Sequence, residues 1–418
     1  MVPKGWTLGT LKDLADTIMG YAFRSEDFVP TGIPLLRMGN LYQNTLDLNR
    51  NPVYLPDSFK VDYKRFLVSP GDLVMSMTGT MGKRDYGFTV EIPSNTQCSL
   101  LNQRVLKIVP KNNASSGYIL NLLRSELILS VLYSFPGGTK QANLSAKQLQ
   151  ELPVLIPPEL EQKKIAQILS TWDKAISVTE KLLTNSQQQK KALMQQLLTG
   201  KKRLLDENGT RFSETWKLYA LSKLFQRVTT KNNGKSNNVV TISGQHGLIK
   251  QEDFFKKTVA SDTLDGYFLL KKGQFAYNKS YSNGYPMGAI KRLNRYPEGV
   301  VTTLYICFEL TTPKKSCGDY WEHYFESGLL NNSLSQIAHE GGRAHGLLNV
   351  KPSDFFSLKV AVPGFEEQQK IASVLSAADT EISTLEKKLA CLRDEKKALM
   401  QQLLTGKRRV KVDEAVAV

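Results

Sequence analysis

The strongest constraint on this chain is a repeat within itself: KKALMQQLLTGK stands at 190–201 and again, unchanged, at 396–407, an offset of 206 residues. Aligned without gaps, 152–204 and 358–410 agree at 29 of 53 positions, which coincidence does not produce. The likeness continues more weakly upstream. Trp6 in GWTLGTLKDL faces Trp216 in TWKLYALSKL, and Gly137-Gly138 faces Gly341-Gly342. The order is therefore variable, repeated, variable, repeated, with expected segments 1–155, 156–206, 207–360 and 361–418.

Each repeated segment follows a proline stop, Pro157-Pro158 or Pro363-Gly364, and ends at Thr-Gly, Gly200 or Gly406, the punctuation of a helix. Between these marks, seam residues recur at alternating steps of four and three: Ile165, Leu169, Trp172, Ile176, Thr179, Leu183, Ser186, Lys190, Leu193 and Leu197. The second copy supplies Ile371, Leu375, Ala378, Ile382, Leu385, Leu389, Leu392, Lys396, Leu399 and Leu403. A period of about 3.5 residues held this long predicts two rods of roughly 60 Å that pair as an antiparallel coiled coil. The alternative is two separate helices, each packed on its own domain. Ile165, Trp172 and Leu375 are expected either to fill the seam or to receive partner subunits.

The variable halves mix both structural types. Short β-rich runs begin at Ile33, Gly71, Arg104, Val239, Gly273 and Thr302, and helical spacing covers 118–133 and 319–338. The expected fold class is α/β (α+β): two globular domains alternating with two long helices. At 418 residues the chain is long enough for both cores. Its net charge of +16 divides as +5 over 1–150, +2 over 151–210, +7 over 211–357 and +2 over 358–418. The basic excess thus sits on the variable domains, where a polyanion such as nucleic acid would have to bind.

Catalytic patterns are scarce. There is no G-x-x-x-x-G-K-[ST] phosphate cradle, which argues against ATP hydrolysis by this chain. Asn51-Pro-Val-Tyr54 lacks the second proline of the N-P-P-[YF] tetrapeptide of amino-methyltransferases, and no glycine-rich cofactor loop accompanies it. Asp57 and Asp62, with Lys64, stand too close together for the hairpin that assembles a metal-dependent nuclease site. His246, His323, His339 and His345 have no partner at ligand spacing, and the first half contains no histidine. Cys98, Cys307, Cys317 and Cys391 show no C-x-x-C pair and read as buried, reduced thiols. No metal site is expected. No apolar run of membrane-spanning length occurs, so a cytoplasmic protein without membrane contact is expected.

What remains are glycine-permitted loops carrying base-reading side chains. Arg or Lys can bridge guanine O6 and N7, and Asn or Gln adenine N6 and N7. The candidate DNA contacts are Arg37, Asn40, Lys83, Arg84, Lys140, Gln141 and Asn143 in the first domain. Gln245, His246, Lys250, Lys279, Tyr281, Asn283, Arg343 and His345 are those of the second.

Pro363-Gly-Phe-Glu-Glu-Gln-Gln-Lys-Ile-Ala372, its counterpart Pro158-Glu-Leu-Glu-Gln-Lys-Lys-Ile-Ala166, and the closing Leu-Met-Gln-Gln-Leu-Leu-Thr-Gly resemble the repeated regions of type I restriction-modification specificity subunits. Gly71-Asp-Leu-Val, Asn102-Gln-Arg104 and Gly137-Gly-Thr resemble the family's first target-recognition domain. The resemblance implies a non-catalytic subunit whose two target-recognition domains read the halves of a bipartite double-stranded DNA site, with the helices as ruler. It further implies two modification subunits carrying S-adenosylmethionine, restriction subunits using ATP and Mg, and no cofactor on this chain. Self-association through the helices is a further expectation. A stand-alone methyltransferase or nuclease, or a coiled-coil adaptor without DNA function, are the competing readings.

Overall fold

The computed structural model describes residues 2–135, 141–255, 263–340, 346 and 348–412, with side chains undescribed at 141, 339 and 340. Two compact units result: Met1–Glu180 with Lys387–Val418, and Lys181–Glu386. Both cuts fall inside long helices, and Glu180 and Glu386 are separated by the repeat offset of 206. Each unit is therefore one variable domain closed by the start of one long helix and the end of the other.

In the first unit, strand Thr7–Thr10 pairs antiparallel with Pro153–Ile156, tying the front of the domain to the strand that feeds the helix. Lys217–Ala220 and Lys359–Val362 do the same in the second. The central sheet of the first unit runs Ala15–Met19, Val105–Pro110, Leu73–Ser76, Thr89–Glu91, all antiparallel. That of the second runs Phe225–Arg227, Ile306–Leu310, Phe275–Asn278, Ala289–Arg292, in the same topological order. The duplication thus extends through domains whose sequences have largely diverged.

Two helices expected as continuous are broken. The helical pattern of 118–133 divides into Ser116–Arg124 and Glu126–Leu132. Buried Ser125 is extended there, and its hydroxyl donates to Leu122 O, a side-chain bond that competes with helix continuation. The pattern of 319–338 divides into Gly318–Glu326 and Asn331–Ile337 around Gly328, at φ +75.

The long helices span Glu159–Leu197 and Phe365–Leu404. Every expected seam residue is buried or half-buried, while most intervening positions are exposed. The polar seam positions have partners. Within the first unit Lys396 Nζ lies 2.6 Å from Asp173 Oδ1, and within the second Lys190 pairs with Asp379. These pairs exchange under the repeat offset, as antiparallel packing requires. Ser186 Oγ donates to Glu381 Oε1 at 3.0 Å, and Thr179 Oγ1 to Ala175 O. Ile165 and Leu169 belong to the first unit's core, Ile371 and Leu375 to the second's. Ile165 and Leu375, at 1% and 0% exposure, are therefore core residues with no surface left for partner subunits.

The Thr-Gly endings have a structural reason. Gly200 and Gly406 stand at φ +69 and +67, and the chain reverses so that Lys202 N–H reaches Gln196 O and Arg408 N–H reaches Gln402 O. The reversal carries Arg203 back to buried Glu367, donating at 2.6 and 2.7 Å, while Trp216 Nε1 donates to the same carboxylate at 3.1 Å. In the first unit Arg409 and Trp6 do the same for Glu161. The following glutamines are clamps. Gln162 Oε1 accepts from Ser115 N and Gln368 Oε1 from Cys317 N, fixing the N-terminus of a domain helix to the start of a long one. Cys307 is buried, which pushes its thiol up to about 12, whereas Cys391 is exposed, contrary to expectation, because it lies on the outer face of its helix. Among the described residues no helix is long and apolar enough to cross a membrane.

Candidate nucleic-acid interface

In the first unit, buried strand Ile33–Leu36 delivers Arg37 to the edge of a cleft also lined by Asn40, Arg50, Asn51, Asn102 and Arg104. That lining holds three guanidiniums and no carboxylate. The turn bearing Asn102 and Arg104 is anchored on several sides. Asn102 N–H donates to Leu36 O, Val105 N–H to Asn102 O, and Met77 N–H to Arg104 O, each near 3.0 Å. Asn40 is buried and committed within the loop: its Oδ1 accepts from Arg37 N, and its Nδ2 donates to Asp47 O and Arg50 O. It shapes the cleft instead of facing a ligand.

Met77 leads into strand Thr78–Thr80, which pairs with Gln141–Asn143. Asn143 is exposed on this strand pair and Lys83 is exposed in the turn that follows Thr80, neither of them lining the arginine cleft; for Gln141 only the backbone is described. Arg84 points to the domain helix instead, 3.1 Å from Glu126 and stacked on Tyr133. Lys140, Arg343 and His345 lie outside the described residues.

In the second unit Gln245 and His246 are exposed at the tip of the hairpin Val240–Ser243/Gly247–Lys250. Tyr285 Oη donates to Gly244 O at 2.8 Å, which brings that tip beside the turn carrying Tyr281 and Asn283. Tyr281 is 64% exposed, a free aromatic face. Lys279 is half-buried, and burial together with the nearby Arg227 guanidinium lowers its pKa. Its ammonium donates to Val350 O at 3.4 Å. Lys250 lies at the far end of its strand, beside Glu252 and Glu298, and does not join the group.

Sequence reasoning missed Arg50, Asn51, Asn102, Arg104 and Arg227. Each lies at a strand end or just beyond a turn, so strand boundaries were the available signal.

His323 Nε2 lies 3.0 Å from Ser376 Oγ and His323 Nδ1 3.7 Å from Asp379, an order superficially like a hydrolase triad. Ser376 sits inside a long helix, where backbone N–H groups are committed to helical bonds and cannot hold an oxyanion. The contact is a structural one. Burial holds the His323 pKa down, with Lys190 acting the same way, against the raising pull of Asp379, Asp319 and Glu326. A depressed histidine contributes stability above its unfolded pKa, about 6.5, that is lost as pH falls through the folded value. The corresponding position of the first unit's nine-residue helix is Asn121. His323→Asn is therefore expected to remove part of the stability loss between about pH 7.5 and 5, read as the difference in urea midpoints from the parent.

The family model for the type I restriction modification DNA specificity domain matches residues 3–185. The type I restriction enzyme EcoKI specificity subunit of Escherichia coli K12 is 22% identical, over 93% of this chain and 85% of its own length. The MjaVIII specificity subunit of Methanocaldococcus jannaschii is 24% identical, over 84% and 82%. Over nearly its whole length the chain is similar to type I restriction-modification specificity subunits. The fold agrees: the crystal structure of the S subunit from M. genitalium superposes with a TM-score of 0.57 at 14% identity, covering 96% of each chain. The family model covers the first reader with the start of its helix, and the repeat supplies the second.

Proposed function

We propose that this chain is a specificity subunit and chooses the DNA target of a type I complex, each unit reading one half of a bipartite duplex site while the long helices carry the modification and restriction subunits. The observation that carries this reading is one fold used twice with different polar tips. An arginine cleft faces out of the first unit, and Lys279, Arg227 and exposed Tyr281 mark the second. A protein reading a palindrome needs the same tip twice, whereas unlike tips suit unlike half-sites. A helix of 39 residues is about 58 Å long, more than one duplex turn of about 34 Å, and serves as the spacer.

The chemistry then belongs to partners: two modification subunits with S-adenosylmethionine to methylate adenine, and restriction subunits with ATP and Mg to translocate and cleave, in the cytoplasm. Without those partners, the helices are the surface through which the chain self-associates. The test is co-expression with the products of neighbouring genes, followed by sequencing of the modified genome. A single two-part methylated motif is expected, absent when this chain is omitted. Methylation by the isolated chain would favour a stand-alone enzyme, and absence of salt-dependent duplex binding would favour an adaptor.

A further inference from the structure

The loop 37–51 differs from the other polar loops in how completely it is fixed. Arg37 N–H donates to Asn40 Oδ1 at 2.8 Å, Asp47 N–H to Asn40 O at 2.8 Å, and Asn40 Nδ2 to two further carbonyls of the loop. Asn40 is 3% exposed, so this is a buried knot. The guanidinium of Arg37 itself donates to Asn51 O, a carbonyl placed by the left-handed backbone of Asn51, at φ +51. One of its N–H groups is thus anchored to the backbone at the protein surface, and the others remain for the cleft it lines. Arg50 lies over the Tyr42 ring at 5.1 Å, and Arg104 is exposed on its turn.

We propose that Arg37 is a base-reading residue of the first unit, that the base is guanine, that Asn40 is its positioning residue, and that Arg50 and Arg104 hold flanking phosphates. The inference rests on the reading of this chain as a duplex-binding specificity subunit. A phosphate accepts a cation from many directions, but a base edge requires the plane of the fork to be set beforehand. Among the arginines of the cleft, Arg37 has its guanidinium tied to a backbone carbonyl, and only guanine offers two acceptors, O6 and N7, on one major-groove edge.

The experiment uses the full-length chain in its complex with the co-purifying methyltransferase subunit, a pool of duplexes randomised across the half-sites, and sequencing of the bound fraction. Arg37→Lys keeps the charge and loses the fork. Discrimination at one G·C pair is expected to fall by roughly 5- to 150-fold, with binding to unrelated duplexes unchanged. Asn40→Asp, which keeps the acceptor but removes the donors to Asp47 O and Arg50 O, is expected to relax the same base pair although Arg37 is intact. Arg104→Ala is expected to weaken all duplexes alike and to lower the salt slope by about one. Full retention of the preference by Arg37→Lys, or an equal loss on every duplex, would overturn the assignment. Failure of the parent complex to select any sequence would sink the specificity reading itself, whatever Arg37 does.

Discussion

Glu367→Ala is expected to destabilise the second unit by about 2–4 kcal/mol, somewhat below the cost of breaking a fully buried ion pair, because the carboxylate is buried and the guanidinium it leaves is half-buried. Glu367 is 2% exposed and accepts both nitrogens of Arg203 and the indole of Trp216, so its removal orphans several donors at once. The carboxylate holds the Arg203 pKa above its ordinary value, a sign that the pair is held as ions. Glu161→Ala in the first unit should cost less, since Arg409 is 40% exposed and water can replace the lost acceptor. Urea unfolding followed by fluorescence reads the second unit in a chain that keeps only Trp216 and Trp321, and the first in one that keeps only Trp6 and Trp172, so the two losses can be compared. Equal midpoints for Glu367→Ala and the parent would show that the latch contributes nothing. Trp216→Phe, which deletes one donor and keeps the ring stacked against Arg203, should lie between them.

That latch marks the border of what the sequence discloses. The repeat, the heptad seam and the Thr-Gly stops are periodic or local signals, and a helix registers them whatever surrounds it. Why Glu161 recurs as Glu367 at the offset of 206, and Trp6 as Trp216 at 210, was not legible, because the meeting of Arg203 with Glu367 spans 164 residues. Nor does a periodic helix say that its two halves serve different domains, since the same spacing describes both. Among the candidate contacts, residue type nominated both Arg37 and Asn40, and both line the same polar cleft. An asparagine that knots a loop and one that reads adenine have the same donors and acceptors, and only burial separates them. Arg104 was present in a recognised motif and still missed, because its exposure depends on the end of the strand beginning at Val105.

Leu375→Ala is expected to cost about 2–5 kcal/mol, and Ile382→Ala, two turns further along the same seam, only about 1 kcal/mol. Both occupy seam positions of one heptad pattern, so a uniform coiled coil would charge them alike. The structure divides them. Leu375 is fully buried among Tyr320, Trp321 and Tyr324 of the second unit's aromatic core, whereas Ile382 is half-buried, outside that core. Leu169 is the first unit's equivalent of Leu375, with 0% exposure in the core that also holds Tyr118 and Leu122. The cavity left by a deleted leucine scales with how many neighbours cannot relax, and an aromatic core packed on all sides relaxes least. Chemical denaturation of Leu375→Ala, Ile382→Ala and the double variant checks the gradient. Equal costs would mean that the helix is held by its seam alone. The expected inequality means that each reader is fused to the helix ends it uses, so that Leu375→Ala should also loosen the second unit's hold on its half-site while leaving the first unit's preference intact.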